Sequence, residues 1–121
     1  MAMYAAQLLD HFQNPRNVGE IADADLAAQI ENPVCGDVLR LTLKISAQKI
    51  TQARFKAKGC VAAIACGSAL TELVTGKGFA EARTLERNDL VAAVGGLPPG
   101  SIHAAQLALD ALAAALDKGK T

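Results

Sequence analysis

The sequence predicts an α+β fold: a small antiparallel sheet of about three strands with helices packed on one face. Two patterns predict it. Leu39, Leu41, Leu43 and Ile45 alternate with Arg40, Thr42 and Lys44, and Ala53, Phe55 and Ala57 alternate with Arg54, Lys56 and Lys58. A period of two is that of a strand with one buried face. Past Cys60 the period becomes helical, through Ile64, Leu70, Leu73 and Val74, and it returns in Ile102, Ala105, Leu109, Leu112 and Leu116. Those spacings of three and four describe helices with one apolar stripe.

Taken in order, Tyr4, Leu8 and Phe12 predict a short helix over residues 3–12, which Asn14-Pro15 ends because the residue before a proline is pushed out of the α region. Residues 14–19 read as a turn-rich loop. A brief strand signal over 26–30 leads into the Asn32-Pro33 break. The alternating runs 39–45 and 50–58 predict an antiparallel hairpin with a wet outer face, connected around Ala47-Gln48. The helix after Cys60 stops at Gly76, and shorter helical pieces are expected over 79–85 and 89–94. Gly95-Gly96-Leu97-Pro98-Pro99-Gly100 is a rigid loop, and Ser101 is positioned as the N-cap of the last helix.

At 121 residues the chain is expected to be a single domain, 1–121, large enough to bury roughly two thirds of its unfolded surface without covalent staples. Three cysteines, an odd number, with no signal peptide and no long apolar run, point to a reducing, cytoplasmic setting in which thiols stay free. Twelve basic residues balance twelve acidic ones, and there are three Phe, one Tyr and no Trp. That composition lacks the basic, aromatic-studded stripe of a nucleic-acid surface and the apolar span of a membrane protein.

The groups able to do chemistry lie at three junctions between elements. Cys35 and Asp37 precede a strand, Cys60 joins a strand to a helix, and His103 lies in the first turn of the last helix. Such loop-borne groups on a rigid scaffold are where sites are commonly built. Each also has a plainer reading. Cys60 is either a thiol whose pKa the helix N-terminus lowers or an inert buried cysteine. Cys35 is either a ligand or a small structural thiol, Asp37 a ligand or a turn residue, and His103 a neutral imidazole ligand or a solvated side chain. Cys66, among Ala62, Ala65 and Ala69 within the helix, reads as a packed core residue. Two thiols, a carboxylate and an imidazole make four ligands that zinc accepts in a tetrahedron; iron-sulfur clusters prefer thiolates and tolerate histidine.

The motifs narrow this choice. His11-Phe12-Gln13-Asn14-Pro15-Arg16-Asn17-Val18-Gly19, Pro33-Val34-Cys35-Gly36-Asp37-Val38, Phe55-Lys56-Ala57-Lys58-Gly59-Cys60, Thr71-Glu72-Leu73-Val74-Thr75-Gly76-Lys77, and Leu97-Pro98-Pro99 followed by His103 cover nearly the whole chain in order. Together they resemble the iron-sulfur cluster assembly scaffolds of the IscU type, the NifU N-terminal domain. The resemblance implies a non-enzymatic scaffold that holds iron or a nascent [2Fe-2S] cluster, or a zinc ion at the same site. Cys35, Asp37, Cys60 and His103 fall on four of the family's five ligand positions. It also implies a cysteine desulfurase and cluster-acceptor proteins as partners.

Two departures qualify what the resemblance carries over. The family's cysteine directly after the histidine, the one credited with accepting persulfide sulfur, is here Ala104. Its Pro-Pro-Val-Lys segment, offered to a heat-shock-type chaperone, is here Pro98-Pro99-Gly100-Ser101, so that partner is not carried over. With only two thiolates placed for ligation, a homodimer sharing one cluster is an open arrangement. Two other readings stand beside the scaffold. One is a zinc-bound persulfide acceptor, a branch that carries an insertion between the second and third cysteine positions that this chain lacks. The other is a regulatory metal-binding module that has lost assembly.

Overall fold

The structure, a computed structural model, describes residues 4–33 and 36–118. Strands β1 (Leu26–Glu31), β2 (Val38–Ser46) and β3 (Lys49–Lys58) form one antiparallel sheet in the order β1-β2-β3. The register sets Leu41 between Ala28 and Phe55, and Leu43 between Leu26 and Ala53, so the alternating apolar residues of all three strands share one face. That face is the core: Leu39, Leu41 and Leu43 are completely buried. Helix α2 (Val61–Val74) lies over β3, and α5 (Ile102–Asp117) lies over β1 and β2. Helix α1 (Ala6–Gln13) packs on α2, and the short α3 (Phe79–Arg83) and α4 (Arg87–Ala93) fill the connection to α5. Helices on one face of a three-stranded sheet is the predicted architecture. Among the described residues no helix is long and apolar enough to cross a membrane.

Small residues let α2 sit low on the sheet. Gly67 meets the Phe55 ring so closely that a Cβ there would lie 2.6 Å from Cδ2. Polar pegs fix α1 and the loop after it to the same helix. His11 Nδ1 lies 2.8 Å from Ser68 Oγ, the Arg16 N–H donates to that hydroxyl at 2.9 Å, and Asn17 Nδ2 donates to Thr71 Oγ1 at 3.1 Å. Ser68 and Thr71 have no exposed surface, so these bonds satisfy groups that would be costly to bury alone.

The hairpin closes around Ala47-Gln48 as expected, with both residues at positive φ, 51° and 63°, a two-residue turn of the primed kind whose twist suits the flanking strands. Three expectations change. The first helix begins at Ala6 rather than at residue 3. Ser101 does not cap α5 with its side chain. A 3-10 turn over Pro99–Ser101 runs directly into the helix, the Ser101 N–H bonds to the Pro98 carbonyl, and Ser101 has φ −111° and ψ 1° instead of the extended backbone a cap needs.

The third concerns the outer face of the sheet, which is wet only in part. Gly19 N–H donates to the Phe55 carbonyl and Phe55 N–H to the Asn17 carbonyl, so the segment after α1 lines the β3 edge. The segment then crosses the outer face, where Ile21 N–H donates to Thr42 Oγ1 at 3.1 Å and leaves Thr42 buried. Burial of Ile21 drives this return, and the Glu20–Arg40 and Asp23–Lys44 ion pairs hold its rim.

Candidate metal centre

Register brings the site together. Val38 pairs with Lys58 at the end of the β2–β3 ladder, so the next residues outward, Asp37 and Gly59, face each other. Cys60 then follows as the N-cap of α2, with φ −76° and ψ 167°, and its sulfur accepts the Ala63 N–H at 3.4 Å. On the other side, Asn32 N–H donates to the Asp37 carbonyl and Gly36 N–H to the Asn32 carbonyl, each at 2.7 Å, closing the β1–β2 connection. The first turn of α5 carries His103 to the same end of the sheet. Sheet pairing and helix docking therefore deliver three groups from three elements.

Their ligand atoms lie within 4.8 Å of one another. Cys60 Sγ is 3.4 Å from Asp37 Oδ2, and His103 Nε2 is 3.8 Å from the same oxygen. A tetrahedral ion with bonds of about 2.0–2.3 Å sets its ligand atoms about 3.3–3.8 Å apart. The three groups thus fit one ion with little movement, and their softness ranges from thiol through imidazole to carboxylate. The Asp37 side chain is 5% exposed and that of His103 36%, so the centre is closed beneath and open toward the imidazole. A shallow hollow of about 200 Å³ adjoins it, lined by Asn32, Pro33, His103 and Gln106 among others. A hollow of similar size between α3 and α5 is lined by neither thiol nor imidazole.

Of the four residues singled out in the sequence, Asp37, Cys60 and His103 converge. Cys35 lies outside the described residues. The helix end pulls the Cys60 thiol down as expected, but it does not prevail. Burial pushes it up first of all, and the hydrogen bond to Asp37 adds to this, outweighing the Ala63 N–H that acts the other way. Without metal the proton stays on sulfur, and ligation must displace it. Cys66 is buried in the core as predicted, and burial pushes its thiol up to about 12. Ala104 is likewise fully buried.

Sequence reasoning overlooked Gly59. Its φ is +149°, and a Cβ there would run into the Asp37 side chain. The available signal was a glycine immediately before a junction cysteine.

Comparisons with known proteins cover nearly the whole chain. The family model for the NifU-like N terminal domain matches residues 3–120. The iron-sulfur cluster assembly scaffold protein IscU 1 of Archaeoglobus fulgidus is 45% identical over 114 residues, which is 94% of this chain and 74% of that protein. IscU of Escherichia coli K12, also named an iron-sulfur cluster assembly scaffold protein, is 40% identical over 117 residues, 93% of this chain and 91% of its own. In fold the chain resembles the crystal structure of a nitrogen-fixing NifU-like protein (N-terminal) from Brucella abortus, with a TM-score of 0.76 at 20% identity, covering 97% of this chain and 95% of that one. With its ordered motifs, its sheet and its converging side chains accounted for, this chain belongs to the NifU-like N-terminal domain family.

Proposed function

We propose that this protein is an iron-sulfur cluster assembly scaffold, a carrier rather than an enzyme. It holds iron or a nascent [2Fe-2S] cluster as cargo on Cys60, Asp37 and His103, with Cys35 as the fourth ligand, and passes it to acceptor proteins. The observation that carries this reading is the meeting of a thiol, a carboxylate and an imidazole within 4.8 Å at the open end of the sheet. Asp37 is central to the release step. A carboxylate is a hard ligand among softer ones, so it holds iron less firmly than a third thiolate would and keeps the cargo transferable. The His103 side chain is 36% exposed, against 5% for Asp37, and lies on the side from which an acceptor's ligands would arrive.

Sulfur has to be supplied to such a site, which fits a cysteine desulfurase as partner. Ala104 removes one thiol from the family's set, so sulfur delivery falls to Cys60 or Cys35. A reducing, cytoplasmic setting belongs to this reading, since it would keep such thiols available. Zinc at the same centre is the second reading, favoured by the donor spacing, which suits a tetrahedral ion equally well.

Metal analysis after anaerobic purification tests the choice. Iron with acid-labile sulfide supports the scaffold; stoichiometric zinc without sulfide would favour a persulfide acceptor; the absence of any metal, with failed reconstitution, would leave only a regulatory module.

A further inference from the structure

We propose that Gly59 is a positioning residue of this centre: its missing side chain provides the volume in which the Asp37 carboxylate sits, so that position 59 decides whether Asp37 faces the metal. The inference rests on the metal-site reading above and adds to it a residue that offers no ligand atom. It starts from the ladder, in which the Val38–Lys58 pair is followed by Asp37 opposite Gly59. A Cβ at position 59 would lie 2.6 Å from Asp37 Cγ and 3.0 Å from its Cβ.

Those atoms cannot yield freely. Asp37 is 4% exposed, and its carboxylate is held by the Cys60 N–H at 3.3 Å and the Cys60 thiol at 3.4 Å. Its side chain has only two torsions with which to move aside. A methyl group at 59 would drive the carboxylate off the Cys60 amide and away from His103. Other glycines in the chain show that this is not simply a demand for unusual backbone. Gly36, Gly76 and Gly96 also have positive φ, at +75°, +91° and +111°, yet a Cβ on any of them would meet nothing within 4 Å. Gly59 alone among these four combines left-handed backbone with a collision against a candidate ligand.

The test is a double-mutant cycle between positions 59 and 37, read with Co²⁺ as the probe on the whole chain. Co²⁺ bound by thiolate, imidazole and carboxylate gives visible ligand-field and charge-transfer bands that change with the ligand set. Gly59→Ala should weaken Co²⁺ affinity by about 10–100-fold and shift the bands to those of Asp37→Ala, and adding Gly59→Ala to Asp37→Ala should change neither further. Gly76→Ala, which introduces comparable backbone strain far from the centre, should leave both unchanged. Thermal unfolding of the metal-free proteins provides a second readout. The Tm loss caused by Gly59→Ala should be smaller in the Asp37→Ala background, where the carboxylate is gone and only the Cβ at position 37, 3.0 Å away, is left to meet the new methyl, and this holds even where Gly59→Ala alone is too unstable to titrate. Parent-like bands in Gly59→Ala, or additive Tm losses, would overturn the positioning role while leaving the centre standing. A parent protein without a thiolate-to-cobalt band would overturn the centre itself and the proposal with it.

Discussion

The Cys60 residue reaches the Asp37 carboxylate twice, its amide donating to Oδ1 at 3.3 Å and its thiol to Oδ2 at 3.4 Å. The carboxylate therefore stabilises the protonated thiol, and with burial it raises the thiol pKa. Removing it should free the thiolate at lower pH. In a Cys35→Ala background, the rate of Cys60 alkylation by iodoacetamide against pH should have its midpoint moved to lower pH by Asp37→Ala. A midpoint unchanged or moved upward would contradict the hydrogen bond.

His11 sets a second pH dependence, on stability rather than binding. It is buried against Ser68 Oγ, and desolvation, followed by the nearby Arg16 charge, lowers its pKa below the ordinary 6.5; Glu72, 3.6 Å from Nε2, opposes this only in part. A histidine with a lowered folded pKa keeps its full stabilising contribution above about pH 6.5, and the contribution falls as pH drops toward the folded value, because the unfolded chain takes up the proton first. Urea midpoints should decline between pH 7.5 and 5.5, and His11→Gln should flatten that decline. An unaltered slope in the variant would place the titration elsewhere.

The approach of α2 to the sheet makes its own prediction. At Gly67 an added Cβ would lie 2.6 and 2.8 Å from two carbons of the Phe55 ring and 3.2 Å from Leu39 Cδ1. Gly67→Ala should gain about 1 kcal/mol in helix propensity and lose more to overpacking, about 1–3 kcal/mol. Combining it with Phe55→Leu should recover part of the loss. A Tm equal to or above the parent's would show that the helix can rise without cost.

Much of the fold was legible because the core residues carry their period openly. Leu39, Leu41 and Leu43 could only be a strand with one buried face, and Leu41 lies between Ala28 and Phe55 as that pattern requires. What sequence missed depends on partners distant along the chain. Thr42 looks like an outward strand residue and is buried because Ile21 folds back over it. The place of the Ala47-Gln48 turn was legible, but its positive-φ backbone without glycine or asparagine was not, since the paired strands impose it. Ser101 resembles a cap, but the Pro98 carbonyl takes its N–H in a 3-10 turn first.

The site divides in the same way. That Asp37, Cys60 and His103 sit at element ends could be read directly, whereas their convergence needed the register that sets Asp37 across from Gly59. The Cys60 thiol was misjudged because a helix N-terminus is visible in sequence, while the burial and the carboxylate that outweigh it are not.

The central claim is that the cargo is held where Cys60, Asp37 and His103 meet and not by the buried thiol of Cys66. The most direct measurement is the visible absorbance and iron content of anaerobically reconstituted Cys60→Ala and Cys66→Ala side by side. Cys66→Ala should keep a parent-like cluster spectrum while losing about 1 kcal/mol of stability to a small cavity, and Cys60→Ala should fold and show no cluster absorbance. A cluster that survives Cys60→Ala and disappears in Cys66→Ala would contradict the account.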